Sequence, residues 1–125
     1  MTGVWTGQVW DFCDAHGVSG RRRNCASLCT EELAENIVRH GFKDNKNHSV
    51  DIRISYVNEE IIICLKDDGI PFNTAEAAKL FGSEDDEQKG AKPACHNIGL
   101  RLVNQMSKSM AYQNTFSLNI LTIVI

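Results

Sequence analysis

The sequence predicts an α+β two-layer sandwich, with helices packed on one face of a mixed, mostly antiparallel sheet. Two observations support this class: apolar residues recur at helical spacing in the first two of four expected helices, and apolar and polar residues alternate as in strands elsewhere. The elements follow in the order helix, helix, hairpin, short helix, polar loop, helix, hairpin. At 125 residues the chain fits one domain over 1–125, which is large enough to bury a core.

Four stretches are expected to be helices, and each carries a start or stop signal. They are expected over 4–16, about 21–40, 74–81 and about 96–108. Gly17 can end the first helix, and Gly41 is expected to stop the second. Asn73, with Glu76 three residues later, predicts a capped start for the third helix. Asn97 is expected to cap the fourth.

Two hairpins complete the expected sheet. The stretch 48–58 alternates cleanly between apolar and polar residues, which predicts a half-buried strand. Asn58-Glu59 then makes a tight connection to a more apolar strand over 60–66. A second hairpin is expected from strands over 109–114 and 118–125.

The composition limits the classes of partner. A formal net charge of -3 gives no general reason to expect nucleic acid or an anionic membrane as the partner. No apolar run is long enough for a membrane span and no signal segment follows Met1, so a cytoplasmic location is expected. The five cysteines include no C-x-x-C pair, which argues against a zinc site.

Three consecutive arginines, Arg21–Arg23, open the second helix. Positive charge in a first turn opposes the helix dipole, so these residues are not expected to stabilise the helix itself. A partner surface and a solvated run of charge are the two interpretations.

The second helix carries the first pattern with chemical content. Glu32 and Asn36 are four residues apart, and therefore neighbours on one face, at the shoulder of an apolar stripe. A carboxylate beside an amide oxygen could position a divalent cation and a reacting hydroxyl or water, because Mg²⁺ takes oxygen ligands and keeps several waters. The alternative is an amphipathic helix with a polar shoulder. The stripe consists of Ala26, Cys29, Leu33 and Ile37.

The second such pattern is the end of the apolar strand. Asp67 has the same strand phase as Ile61, Ile63 and Leu65, so its carboxylate is expected on the core face, where it needs a donor. Gly69 belongs to the turn that follows. Asp67 is either a turn residue that bonds nearby backbone amides or a carboxylate kept for the N–H of a ligand, such as the exocyclic amine of adenine.

The third pattern is a long polar loop followed by a helix. The loop is interpreted as a mobile lid at about 82–96, with a plain flexible loop as the alternative. Gly99, in the first turn of the last helix, removes a side chain where helix amides face outward. Such a helix start suits a phosphate group.

The order of these three patterns resembles the ATP-binding fold shared by histidine kinases, Hsp90, type II topoisomerases and MutL, known as the GHKL or histidine kinase-like ATPase family. Within it, the chain is most similar to the bacterial anti-sigma-factor serine kinases. The resemblance spans roughly residue 4 to the C-terminus. It implies ATP and Mg²⁺ as cofactors.

The resemblance also implies a role for each motif residue. Asn36 would ligate the Mg²⁺ that bridges the phosphates, and Glu32 would act as general base. Asp67 with Gly69 matches the box whose aspartate receives the adenine amine. The end of the glycine box, which wraps the phosphates together with the lid, is matched by Gly99 and Leu100.

The family has a further polar residue near the adenine, late in the chain. Either Asn119 or Thr122 could stand at that place, and the sequence does not fix the register. Two departures from the family are visible. Asn97 stands where the phosphate box usually begins with Gly, and the strand that normally precedes the first helix is absent from this sequence. Either a longer parent supplies that strand, or the open sheet edge pairs with a second copy in a homodimer.

By resemblance, the expected function is a serine/threonine protein kinase of the anti-sigma type, which regulates transcription. Its partners would be a sigma factor and an anti-anti-sigma antagonist that accepts the phosphoryl group. The alternatives are a non-catalytic nucleotide- or protein-binding module and the catalytic domain of a sensor histidine kinase. Glu32 favours attack by a hydroxyl or water over attack by imidazole, because these nucleophiles have more need of a base.

Overall fold

The computed structural model describes the backbone of residues 2–43, 48–81 and 95–125, and the side chains of residues 8–43, 48–79 and 99–125. The predicted lid at about 82–96 falls outside the described residues, apart from its last two positions, which belong to a helix. No helix in the described ranges is both long and apolar enough to cross a membrane.

The described elements form a layer of helices on one four-stranded sheet, as the sequence predicts. The helices are α1 (Thr2–Ala15), α2 (Gly20–Gly41), α3 (Thr74–Phe81) and α4 (Cys95–Met106). The strands are β1 (Val50–Val57), β2 (Glu60–Asp67), β3 (Ser109–Thr115) and β4 (Leu118–Val124). Their order in the sheet is β1-β2-β4-β3, and every neighbouring pair is antiparallel.

The core lies between α2 and the two central strands. The predicted stripe of α2 is buried, and β2 and β4 alternate between buried and half-buried residues along their length. Burying a leucine or isoleucine side chain contributes roughly 1.5–3 kcal/mol, so this seam fixes how α2 lies on the sheet. The fully buried side chains of the seam include Leu33, Ile61, Ile63, Leu65 and Ile123.

Both hairpins close through two-residue turns with positive φ at both positions. In the first turn φ is 52° at Asn58 and 67° at Glu59, and in the second it is 54° at Phe116 and 63° at Ser117. Two positive φ values at the centre of a hairpin are the signature of a type I′ turn, whose twist matches that of the strands.

Two of the three arginines at the start of α2 bind their own chain. The Arg22 guanidinium donates to the backbone oxygen of Ile125 at 3.2 Å and to that of Glu59. Arg23 pairs with Asp14 of α1 and lies 3.8 Å above the centre of the Trp10 ring. These residues therefore fasten α2 to α1 and to the ends of β2 and β4.

Two predicted helix signals are wrong. Gly41 is the last residue of α2, not a C′ residue beyond its end, and the C-cap is Phe42, with φ −107°. The Gly41 carbonyl oxygen accepts a hydrogen bond from the backbone N–H of Ile70 at 2.9 Å, which joins the end of α2 to the turn after β2. The other wrong signal is Asn97, which lies inside the first turn of α4 because that helix begins at Cys95.

Candidate functional site

The end of α2 and the adjoining ends of β2 and β4 surround a pocket. Its cavity volume is about 10 Å³, and it opens to solvent. Apolar walls with a few polar groups are the usual lining of small-ligand sites. The apolar walls include Ile37, Phe72 and Leu121, and the polar groups include Asp67, Tyr112 and Asn119.

Asp67 is the charged group of this pocket. It ends β2 in the same phase as the buried isoleucines, and only 5% of its surface is exposed. Its Oδ1 atom accepts hydrogen bonds from the backbone N–H of Gly69 and from the Asn119 side-chain amide, both at 2.9 Å. These donors answer the need that the sequence predicted for a buried carboxylate.

The neighbouring carboxylate, Asp68, points the other way. It is hydrogen-bonded to the His48 ring at 3.0 Å and to the backbone N–H of Ser49 at 3.3 Å. The hydrogen bond from His48 is the main cause that holds the pKa of Asp68 below its ordinary value. Asp68 therefore bonds to the segment before β1, whereas the adjacent Asp67 faces the pocket.

Gly69 is required by a close approach of two backbone segments. A Cβ atom at this position would lie 2.7 Å from the carbonyl oxygen of Gly41 and 2.9 Å from a ring carbon of Phe42. Real Cβ atoms do not come that near to a backbone oxygen, so a larger residue would push the turn away from α2. This contact holds Asp67 beside the end of α2.

Asn36 lies one residue from Ile37 in α2, and therefore next to the pocket wall. It is 2% exposed, and both polar atoms of its amide have no hydrogen-bond partner among the described residues. Buried amides are nearly always hydrogen-bonded, so an unpaired one points to a ligand. Its Oδ1 atom is of the type that Mg²⁺ takes, and the residue therefore fits the cation that the family resemblance implies.

Glu32 lies against the first turn of α4. A Cβ atom built on Gly99 would be 2.0 Å from Oε2 of Glu32 and 2.7 Å from its carboxyl carbon. A side chain at this position would have to displace the carboxylate from its present place. The structure thus brings together two predicted site residues, Glu32 and Gly99, that are 67 positions apart in the sequence.

The pKa of Glu32 is raised above its ordinary value. Desolvation by burial is the largest cause, the charges of Glu35 and Glu31 add to it, and Arg39 opposes it. A general base works best when its pKa is near the working pH, so a raised pKa suits a carboxylate in that role.

Two other predicted residues stand near this contact. Leu100 is buried at 1% exposure and packs with Ala77 and Ala78 of α3, which is a packing role. Asn97 lies in the first turn of α4, but its side chain is outside the described part of the chain. A ligand role for either residue stays a prediction.

Asn119 is the site residue that sequence reasoning left undecided. It pairs with Asp67 across β2 and β4, whereas Thr122 pairs with Cys64. Because successive residues of a strand face opposite sides, Thr122 lies on the face away from the helices. The sequence signal was the polar residue in a buried phase of the last strand.

The four-stranded antiparallel sheet with its helical layer, and the polar groups gathered along α2, are those of a histidine kinase-like ATPase domain. A family model with that description matches residues 6–125. The chain belongs to this family.

The similar proteins include a relative of known reaction class and two solved structures. The chain is 28% identical over 107 residues to the serine/threonine-protein kinase BtrW of Bordetella bronchiseptica, covering 84% of this chain and 71% of BtrW. A chain of the SiaB-SiaC complex from Pseudomonas aeruginosa superposes with a TM-score of 0.67 at 10% identity, covering 99% of this chain and 82% of that one.

The second structure is the histidine kinase domain of the blue-light activated histidine kinase of Erythrobacter litoralis. It superposes with a TM-score of 0.57 at 18% identity over 99% of this chain. The chain spans 60% of the length of that protein chain. At these identities the two structures show the fold.

Proposed function

We propose that this protein is an ATP-dependent serine/threonine protein kinase of the anti-sigma regulatory type. The observation that carries the proposal is the contact of the Glu32 carboxylate with Gly99. This contact lies one helical turn from the Asn36 amide, which has no hydrogen-bond partner among the described residues. The similarity to a serine/threonine-protein kinase supports the same reaction class.

Each residue has a separate task in this proposal. The carboxylate of Asp67 accepts a hydrogen bond from the exocyclic amine of adenine inside the pocket. The start of α4 offers backbone amides to the phosphates, and Gly99 keeps that surface free of a side chain. Asn36 would hold Mg²⁺ through its amide oxygen, and the cation would neutralise charge on the phosphates.

Glu32 takes the proton of the acceptor hydroxyl. Its raised pKa follows from desolvation and from the neighbouring glutamates, and both favour uptake of a proton. Because phosphoryl transfer depends mostly on positioning and charge, loss of the base slows transfer more than it weakens nucleotide binding.

The proposed partners are a sigma factor and an anti-anti-sigma antagonist with an acceptor serine or threonine. Such a role places the protein in the cytoplasm, where it regulates transcription. A homodimer formed through an open edge of the sheet also stays a prediction. One of the two edge strands, β1, carries the ion pair of Arg53 with Asp51 at 3.2 Å, and charges on an edge strand oppose simple strand pairing.

The test is a transfer assay with Mg-ATP and candidate antagonist proteins, followed by identification of the phosphorylated residue. Phosphoserine or phosphothreonine that disappears with Glu32→Gln is the expected result. Glu31→Gln, the adjacent glutamate of α2, is the matched control. Nucleotide binding without transfer to any antagonist would instead assign a non-catalytic module, and phosphohistidine would assign the histidine kinase reaction.

A further inference from the structure

The two edges of the sheet differ in charge. The edge strands are β1 and β3, since the order in the sheet is β1-β2-β4-β3. On β1, the exposed side chains of Asp51 and Arg53 form an ion pair. The hairpin of β3 and β4, residues 109–125, contains no charged side chain. Charges on an edge strand oppose pairing with a further strand, so β1 is protected in a way that β3 is not.

Strand β3 also lacks the other features that protect an edge. Its seven residues, Ser109–Thr115, include no proline or glycine. Its register with β4 is continuous from the pair Ser109–Val124 to the pair Thr115–Leu118, without a bulge. Among the described strands, only β4 pairs with it. Proteins protect edge strands with charges, prolines or bulges, so β3 is left open to a further strand.

The turn at the end of β3 exposes an aromatic ring. Phe116 is 94% exposed, and its φ is 54°. A type I′ turn favours asparagine, aspartate or glycine at such a position, because these residues tolerate a positive φ. Neither the turn nor the core therefore explains a phenylalanine here. A second chain that covers the ring would explain it, because large aromatic side chains anchor protein interfaces.

Strand β3 is complementary to itself. When two copies of an antiparallel strand pair about a two-fold axis at Tyr112, Ala111 of each copy lies opposite Gln113 of the other, and Ser109 lies opposite Thr115. All seven opposed pairs are uncharged. Residues of even number stay on the helical side of the sheet in both copies, so neither face is inverted.

The pairing supplies the hydrogen bonds of an ordinary interface. Seven antiparallel pairs make about six to eight backbone N–H···O bonds. A protein–protein interface of standard size has about ten direct hydrogen bonds. Phe116 of each copy adds an apolar contact, because the turn extends past the paired residues toward the start of the other β3.

We propose that the protein forms a homodimer in which the β3 strands of two copies pair about a two-fold axis at Tyr112. The two four-stranded sheets then form one continuous sheet with the helices of both copies on the same face. Strand addition at an open edge is a common mode of protein recognition. This inference goes beyond the proposed kinase function and does not depend on it.

The experiment measures the dissociation constant of the dimer by sedimentation equilibrium, without nucleotide. One variant combines Ala111→Lys with Gln113→Lys, which places introduced lysines opposite each other at two points. A second combines Ala111→Lys with Gln113→Glu, so that each lysine lies opposite a glutamate. The matched control is Ser55→Lys, which adds a lysine to the exposed face of β1. Ala111 and Gln113 are exposed, and the unfolding midpoint shows whether each variant is folded.

The wild type should be dimeric at high concentration and dissociate on dilution. The lysine–lysine variant should raise the dissociation constant by about tenfold or more, because like charges directly opposite each other are destabilising. The lysine–glutamate variant and Ser55→Lys should stay within about threefold of the wild type. Phe116→Asn suits the turn better, so it should keep or raise the unfolding midpoint and still weaken the dimer by about tenfold.

Four results would contradict the inference. A wild type that stays monomeric at every concentration overturns it, and so does a lysine–lysine variant that dimerises as well as the wild type. A lysine–glutamate variant as weak as the lysine–lysine variant overturns the register about Tyr112. An unchanged dimer in Phe116→Asn overturns the contact assigned to that ring. The transfer assay tests the proposed function separately, so failure of one proposal leaves the other standing.

Discussion

Replacing Asn36 by leucine should make the protein more stable and remove its response to magnesium-nucleotide. The amide of Asn36 is buried at 2% exposure, and neither of its polar atoms has a hydrogen-bond partner among the described residues. Leucine has nearly the same shape and carries no polar atoms. Asn36→Leu therefore removes two buried polar atoms that have no partner among the described residues, and with them the oxygen that a cation would need.

The size of the effect follows from the two unpaired atoms. Each unsatisfied buried polar group costs about 1–3 kcal/mol, and tighter packing of the leucine takes back part of the gain. A net gain of about 1–3 kcal/mol is expected. In a domain of this size 1 kcal/mol moves the unfolding midpoint by about 4 °C, so the midpoint should rise by about 4–12 °C.

The assay is thermal unfolding followed by circular dichroism, with and without Mg-ATP. At a hundred times its dissociation constant, a ligand stabilises the wild type by about 2.7 kcal/mol. Asn36→Leu should show no such shift. The control is Asn24→Leu, which changes an exposed amide of the same helix and should alter stability by less than about 0.5 kcal/mol.

Two results would refute this reasoning. A less stable Asn36→Leu would mean that the amide is satisfied in the folded protein. A variant that keeps the full magnesium-dependent shift would mean that Asn36 does not hold the cation.

Three other substitutions test the rest of the site. The pKa of Glu32 is raised in the folded state, so its contribution to stability is present below the ordinary glutamate pKa and is lost as the pH rises through the raised value. In calorimetry, Glu32→Gln should therefore unfold at a higher temperature than wild type at neutral pH and lose this advantage in acid. In the transfer assay, the same variant should show no transfer. Gly99→Ala should displace the Glu32 carboxylate and lower the turnover number more than the affinity for ATP, and equal losses in both would argue against the contact. Gly69→Ala would bring a Cβ atom against the backbone of Gly41 and should lower the free energy of unfolding, measured with denaturant, by about 1–3 kcal/mol. Gly17→Asn should lower it by less, because Gly17 lies in open space at a turn with φ 73°.

The local patterns of the sequence determined the elements and their faces. The spacing in α2 fixed which side of the helix is buried, and the period of two in β2 placed the Asp67 carboxylate on the core face. Both signals depend only on residues within a few positions of one another. For the same reason the α+β class and the short hairpin turns were predictable.

Tertiary structure decided which of these residues meet. The partner of Asp67 depends on the register between β2 and β4, which joins residues 67 and 119; a period of two identifies the face of Asn119 but not its neighbour. The contact of Glu32 with Gly99 likewise depends on how α4 packs on α2. Gly41 had a local interpretation, a C′ residue beyond the helix end, that proved wrong, because α2 continues through it. The constraint on the contact with Gly41 lies at Gly69, which comes from another part of the chain. The sequence by itself therefore determined the candidate residues of the site, and only the folded chain decided their pairing, since that pairing depends on packing between segments far apart in sequence.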